Sequence, residues 1–234
     1  MTPMSRRDVS WGLSALMLAA LGRAGPAFAA GTIKPDVASP LIVTDVQNCF
    51  LPGGSLAVKD GDQVVPVINR IAKNFANVVM TQDWHTAGHV SFASSHSGKK
   101  PFEVIDLSYG KQVLWPDHCV QDTAGAAFHP GLSVPRAELI VRKGYHADID
   151  SYSAFYENDR KTTTGLEGYL RDRGIRKVVL AGLATDFCVA YSVIDACQHG
   201  FDVTVLLEAC RAIDLNGSLD AMILQMKEAG ANIL

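Results

Sequence analysis

Short apolar runs, each β-branched or leucine-rich, recur along the chain at Leu41–Thr44, Val78–Thr81, Leu139–Val141, Val178–Ala181 and Val203–Leu207, with Ala231–Leu234 as a short last one. They are apolar at nearly every position rather than at alternate ones. That pattern predicts strands covered on both faces, as parallel strands are. Between them, apolar residues return at helical spacing over Val64–Phe75, Gly165–Arg173, Asp186–His199 and Ser218–Ala229. Strand and helix therefore alternate, which predicts an α/β fold, a three-layer αβα sandwich around a mainly parallel sheet. Residues 84–137 break the alternation: they hold Gly, Pro, Ser and His with little periodicity. A stretch that long without regular elements inside a compact domain is expected to carry function.

The first residues follow a different pattern. Ser5-Arg6-Arg7 precedes an apolar run from Trp11 to Leu21, and Ala27-Phe28-Ala29 supplies small residues on either side of one large one. A charged start, a short apolar middle and a small-residue end read as an export signal over residues 1–29. The adjacent arginines point to the twin-arginine route and a periplasmic destination. The run is shorter than the roughly 20 apolar residues a membrane-spanning helix needs, so no stable membrane anchor is expected. Residues 30–234 are then read as one domain.

Composition narrows the class without naming it. The 234 residues are 48% hydrophobic and 19% charged, enough for a real core, and the net charge is −3. No Lys/Arg stripe is present, so no nucleic-acid partner is expected; a small-molecule substrate is, in a monomer or small homo-oligomer. Five cysteines, Cys49, Cys119, Cys188, Cys197 and Cys210, leave at least one thiol unpaired within one chain.

In an open parallel sheet, ligands bind beyond the carboxyl ends of the strands. Asp45 follows the first run, Asp83 and His85 the second, Lys143 the third, and Gly182-Leu183-Ala184-Thr185-Asp186-Phe187-Cys188 the fourth. Four strands thus send ionisable or nucleophilic groups to one edge. Cys188 is the candidate nucleophile. It lies near the start of a predicted helix with Thr185 or Asp186 as N-cap, and the helix terminus and Lys143 are expected to lower its pKa. Asp45 can take the thiol proton and return it to a leaving amine. Asp83 and His85, two apart, project to one face of extended backbone, and His89 and His118 follow; one carboxylate with two or three imidazoles suits a catalytic Zn²⁺, Fe²⁺ or Mn²⁺. His96, His129, His146 and His199 read as surface or supporting residues. Phe50, Trp115 and Tyr152, on their own, read first as core aromatics.

These segments also resemble a known group. Thr44-Asp45-Val46-Gln47-Asn48-Cys49-Phe50 with Pro52-Gly53-Gly54-Ser55-Leu56 resembles the opening motif of nicotinamidases, and Gln82-Asp83-Trp84-His85 with His89-Val90-Ser91-Phe92 their metal segment. Trp115-Pro116-Asp117-His118-Cys119-Val120, Arg142-Lys143-Gly144, Asp150-Ser151-Tyr152-Ser153-Ala154-Phe155 and Gly182–Val189 match in the same order. The wider group is the isochorismatase-like hydrolases, whose fold has a six-stranded, mainly parallel sheet.

The resemblance implies an amidohydrolase that converts nicotinamide, and pyrazinamide, to the acid and ammonia through a cysteine thioester. It implies Asp45, Lys143 and Cys188 as the catalytic triad. Asp83, His85 and His118 would hold one divalent metal, with His89 as a fourth ligand or a close neighbour, and the metal would hold the pyridine nitrogen. Phe50, Leu56, Trp115 and Tyr152 would line the substrate pocket. A cis peptide between Leu183 and Ala184 would place the N–H groups of Ala184 and Cys188 as an oxyanion hole. One departure stands out: Cys49 occupies a position where the family commonly has Asp, which would put a second thiol near the pocket. Two competing readings are another cysteine amidohydrolase acting on a carbamoyl or other small amide, and a non-catalytic periplasmic nicotinamide-binding protein. The second has no need of a nucleophile.

Overall fold

The computed structural model describes residues 39–234; the segment read as an export signal lies outside the described residues. Eight strands and four α-helices follow in the order β1 (Leu41–Thr44), α1 (Val64–Ile71), β2 (Val78–Asp83), β3 (Val104–Leu107), β4 (Gly110–Val113), β5 (Ala137–Lys143), α2 (Leu166–Asp172), β6 (Lys177–Leu183), α3 (Ala190–Gln198), β7 (Asp202–Arg211), α4 (Ser218–Glu228) and β8 (Asn232–Ile233). Six strands form one sheet in the order β5-β2-β1-β6-β7-β8, and every pairing in it is parallel. Among the described residues no helix is long and apolar enough to cross a membrane.

Alternation along the buried strands explains the layers. In β1, Leu41 and Val43 face one core with Val64, Val65 and Ile68 of α1, while Ile42 faces the other with Leu166 and Leu170 of α2, Val193 of α3 and Met222 and Met226 of α4. Strands with apolar residues on both faces need a layer on each side, and burial of those side chains is the main force holding the sandwich. β5 departs from the expectation drawn from Leu139–Val141. It is an edge strand with one open face: Glu138, Ile140 and Arg142 are exposed, and Ile140 reaches 50%.

The stretch read as one long loop contains an antiparallel hairpin, β3–β4. Its outer residues are exposed, so no apolar run marks it. Gln112 alone is fully buried and turns inward. The helix predicted from Asp186 begins instead with a π-helical turn, Thr185–Val189, before α3 proper. Neither Thr185 nor Asp186 caps it through a side chain, because the Asp186 carboxylate is engaged by a different loop.

Register brings the chemistry to one edge. Asp83 is the last residue of β2 and pairs with Lys143, the last of β5. Thr44, just before Asp45, pairs with Gly182 of β6. Gly182 has φ +125°, and a Cβ there would collide with the backbone of Thr44. Only glycine allows this approach of β1 to β6, which sets Asp45 beside the turn bearing Cys188.

Candidate active site

Lys143 lies at the centre. Its side chain is fully buried, and its Nζ stands 2.9 Å from Asp45 Oδ2 and 3.4 Å from Cys188 Sγ. It also donates to Asp83 Oδ1 and, at 3.0 Å, to the Ser151 carbonyl. A buried ammonium survives only if paired, and here two carboxylates and a carbonyl share it. Burial pushes against its charge, but Asp45, Asp83 and Cys188 outweigh that and raise its pKa well above the ordinary range.

Asp45 is fixed by Thr81, a hydroxyl that follows the apolar residues Val78–Met80 of β2. Thr81 Oγ1 donates to Asp45 Oδ1 at 2.5 Å and accepts the Asp45 N–H at 3.2 Å. Asp45 sits at φ +47°, a left-handed conformation that aspartate tolerates better than most residues. Burial raises its pKa, and Lys143 pulls the other way.

The thiol of Cys188 departs from expectation. Burial comes first and pushes it well above the ordinary thiol range; Lys143 opposes, and Asp45 and Asp83 add to the rise. The resting group is a neutral thiol, not a preformed thiolate, so the site needs a base, and Asp45 is adjacent.

The donor set for a metal sits one step along the same edge. Nδ1 of His85 faces the Gly144 carbonyl at 2.9 Å, and Nδ1 of His118 faces the Pro116 carbonyl at 2.9 Å. Carbonyls only accept, so both Nδ1 atoms carry hydrogen and both Nε2 lone pairs are free. Those Nε2 atoms lie 3.7 and 3.9 Å from Asp83 Oδ2, and His85 Nε2 is buried without a hydrogen-bond partner. An orphaned buried lone pair beside a second imidazole and a carboxylate oxygen is what a divalent metal satisfies, so the residues fit one. Gly144 (φ +65°) makes the close approach possible, since a Cβ there would strike the His85 ring.

His89 does not offer a free nitrogen. Its Nδ1 is bonded to Ser91 Oγ at 2.8 Å, and its Nε2 faces the carbonyls of His146 and Ile149 at 2.9 and 3.1 Å. Although His85, His89 and Asp150 are close enough together to count as a metal cluster, the two carbonyls fix a hydrogen on Nε2, so His89 stands as a neighbour, its ring 4.3 Å from that of His85. Burial also moves His118, whose pKa falls to about 4, so it is neutral near pH 7.

Phe50, Leu56, Trp115 and Tyr152 line one cavity with Asp83, His118, Ala184 and Cys188. The space left is about 20 Å³, room for about one water, so an aromatic amide must part the walls to enter. Phe187, Ile213 and Asp150 line it too and are not singled out as pocket residues by the sequence. Phe187 precedes the nucleophile, its ring 4.9 Å from that of Trp115. Asp150 is held by Gln112 Nε2 at 2.6 Å, which also donates to Tyr152 Oη at 3.1 Å. A larger open groove of about 690 Å³, bordered by Asn48, Cys49, Asp62 and His129, is lined by none of Asp45, Lys143 and Cys188.

The peptide between Leu183 and Ala184 is cis. Cys49 is not a second thiol: it is bonded to Cys119, which leaves Cys188, Cys197 and Cys210 free.

A thiol, a base and a cation converging at the carboxyl edge of a parallel sheet, under an aromatic lid, define a cysteine-dependent hydrolase of the α/β class. Residues 39–234 match the isochorismatase domain, and the chain belongs to that family. It is 56% identical to the nicotinamidase of Acinetobacter baylyi over 81% of this chain and 89% of that one. The solved nicotinamidase–pyrazinamidase of Acinetobacter baumanii superposes with a TM-score of 0.85 at 55% identity, covering 86% of this chain and 97% of that one. The pyrazinamidase of Pyrococcus horikoshii, solved in complex with zinc, does so with a TM-score of 0.69 at 33% identity, over 84% and 98%.

Proposed function

We propose that the protein is a nicotinamidase, hydrolysing nicotinamide to nicotinate and ammonia and accepting pyrazinamide. The observation that carries the reading is the placement of Lys143 Nζ 2.9 Å from Asp45 and 3.4 Å from Cys188, with Cys188 lining an aromatic-walled pocket. The relatives named above support the substrate class.

Asp45, Lys143 and Cys188 form the triad. Asp45 takes the proton of the Cys188 thiol, and the thiolate attacks the amide carbon. The N–H groups of Ala184 and Cys188 receive the oxyanion; one such donor typically contributes about 100-fold to 1000-fold in rate. Asp45 returns its proton to the departing nitrogen, which leaves as ammonia, and an acyl thioester remains. Asp45 then takes a proton from water, the hydroxide adds to the thioester carbon and the C–S bond breaks, Asp45 returns that proton to the Cys188 sulfur, and nicotinate leaves with its acid proton lost to solvent. Lys143 keeps Asp45 ionisable at full burial and lies beside the sulfur as its charge develops. Asp83, His85 and His118 would hold one divalent ion, Zn²⁺ or Fe²⁺ with Mn²⁺ as a third choice. When bound, it supplies a Lewis acid in the pocket that can hold the pyridine nitrogen. Phe50, Leu56, Trp115 and Tyr152 enclose the ring.

The experiment is ammonia release from nicotinamide by purified protein, with and without chelator, with metal measured on the same sample. Absence of turnover in metal-replete protein would remove the reading. We also propose export to the periplasm from the residue 1–29 pattern. Mature protein confined to the cytoplasmic fraction would refute that part.

A further inference from the structure

Asp186 stands two residues before Cys188, is 1% exposed, and among the described residues accepts from no cationic side chain. A buried carboxylate of that kind must be held by donors. All of its donors among the described residues come from one distant loop and the first residue of the helix that follows it. Oδ1 accepts from the Ile213 N–H at 3.0 Å; Oδ2 accepts from the Asp214 N–H at 2.8 Å and from the Ser218 hydroxyl. That loop joins β7 to α4 and takes an unusual path. Asp214 and Asn216, neither of them glycine, both have φ +55°. The loop matters because Ile213 lines the cavity alongside Ala184, Phe187 and Cys188.

The turn that carries the nucleophile therefore also grips the segment that closes the pocket beside it. We propose that Asp186 is a positioning residue for specificity: it fixes Ile213 at the wall of the ring-binding space and so sets the largest aromatic amide the site admits. This rests on the nicotinamidase reading. Asp186 touches no reacting atom in the scheme above and acts only through Ile213. Of the walls that part to admit the ring, one held by two backbone N–H groups and a hydroxyl yields least, and an apolar wall that resists displacement discriminates by size, typically about 10-fold to 200-fold per excluded methylene-sized group.

The test compares kcat/KM for nicotinamide with that for the bicyclic quinoline-3-carboxamide. In the metal-replete wild type the ratio should strongly favour nicotinamide. Ile213→Ala and Asp186→Ala should each lower the ratio at least about tenfold, chiefly through a lower KM for the bicyclic amide. The double variant should go little beyond the larger single effect, since both act on one wall. A merely structural role for Asp186 would lower both kcat/KM values together and leave their ratio in place. Should Asp186→Ala not fold, Asp186→Asn keeps the side-chain volume but turns an amide N–H₂ toward the loop donors, and it should shift the ratio in the same direction. A ratio within twofold of wild type in folded Asp186→Asn or Ile213→Ala overturns the proposal. A wild type that does not turn over nicotinamide removes the function reading instead.

Discussion

Asp83 and Lys143 are register partners at the ends of adjacent parallel strands, and their side chains meet. One oxygen of Asp83 accepts from the lysine that touches Asp45 and Cys188; the other faces the Nε2 atoms of His85 and His118. A single carboxylate thus links the cysteine cluster to the metal donor set. Burial opposes its ionisation, but the Lys143 ammonium counters burial and holds it well below the usual carboxylate range.

Replacing this carboxylate should alter both halves together. Asp83→Asn is expected to lower metal content and also speed alkylation of the Cys188 thiol, because a negative charge that adds to the rise of its pKa is gone. His118→Ala should lower metal content and leave the alkylation rate near wild type. Metal analysis and timed iodoacetamide labelling of the same preparations read both. Equal effects of the two variants on labelling would break the link.

Removal of the nucleophile gives the sharpest activity test. Cys188→Ala should leave less than about one per cent of nicotinamide turnover, while metal content and substrate binding persist. Asp45→Asn should cost at least about 100-fold in kcat, because the thiol it serves is neutral at rest. Ammonia release measures both, and faster turnover in either variant contradicts covalent catalysis with Asp45 as base.

Lys143→Met leaves Asp45 and Asp83 buried without their cation. Breaking a buried ion pair from one side typically costs about 3–5 kcal/mol, so a drop of that order in unfolding free energy is expected, along with lost activity. Denaturant unfolding of the chelated protein measures it.

Stability should fall on the alkaline side in a defined window. The Cys210 thiol is pushed up to about 12, first by burial, and Cys188 is also raised. An unfolded thiol ionises near pH 8.5, whereas the folded ones stay protonated, so the unfolded chain gains from each rise in pH above that point and the folded chain does not. Stability from these groups is fully present below about pH 8.5 and is lost as pH rises toward the folded value. Denaturant midpoints at pH 7.5 and 9.5 should differ in that direction, and the difference should shrink in Cys210→Ala. A flat profile counts against the shift.

Much of this edge was legible in the residues because it comes from local order. Asp83 and Lys143 end apolar runs, and Asp45 follows one directly, so parallel register alone brings them together. Phe50, Leu56, Trp115 and Tyr152 were found through motif resemblance, since an aromatic residue in a core and one in a pocket have the same local pattern. What stayed hidden depends on long-range contacts. Thr81 reaches Asp45 across 36 residues, and Gln112 reaches Asp150 across 38, from a hairpin whose exposed faces give no apolar signal. Burial, which decides the charge on Cys188, is likewise a property of the assembled pocket and not of the helix-start pattern. Nor does local order decide whether His89 is a fourth ligand or a close neighbour: the carbonyls that face its Nε2, those of His146 and Ile149, lie 57 and 60 residues away.

The Cys49–Cys119 bond, spanning a sequence separation of 70, closes a covalent ring. Asp83, His85 and His118 all lie on that ring, whereas Asp45, Lys143 and Cys188 lie on the chain outside it. A cut by a protease anywhere between Cys49 and Cys119 therefore cannot release either fragment with its metal donors. The nicked molecule stays a single covalent species until a thiol reductant opens the loop.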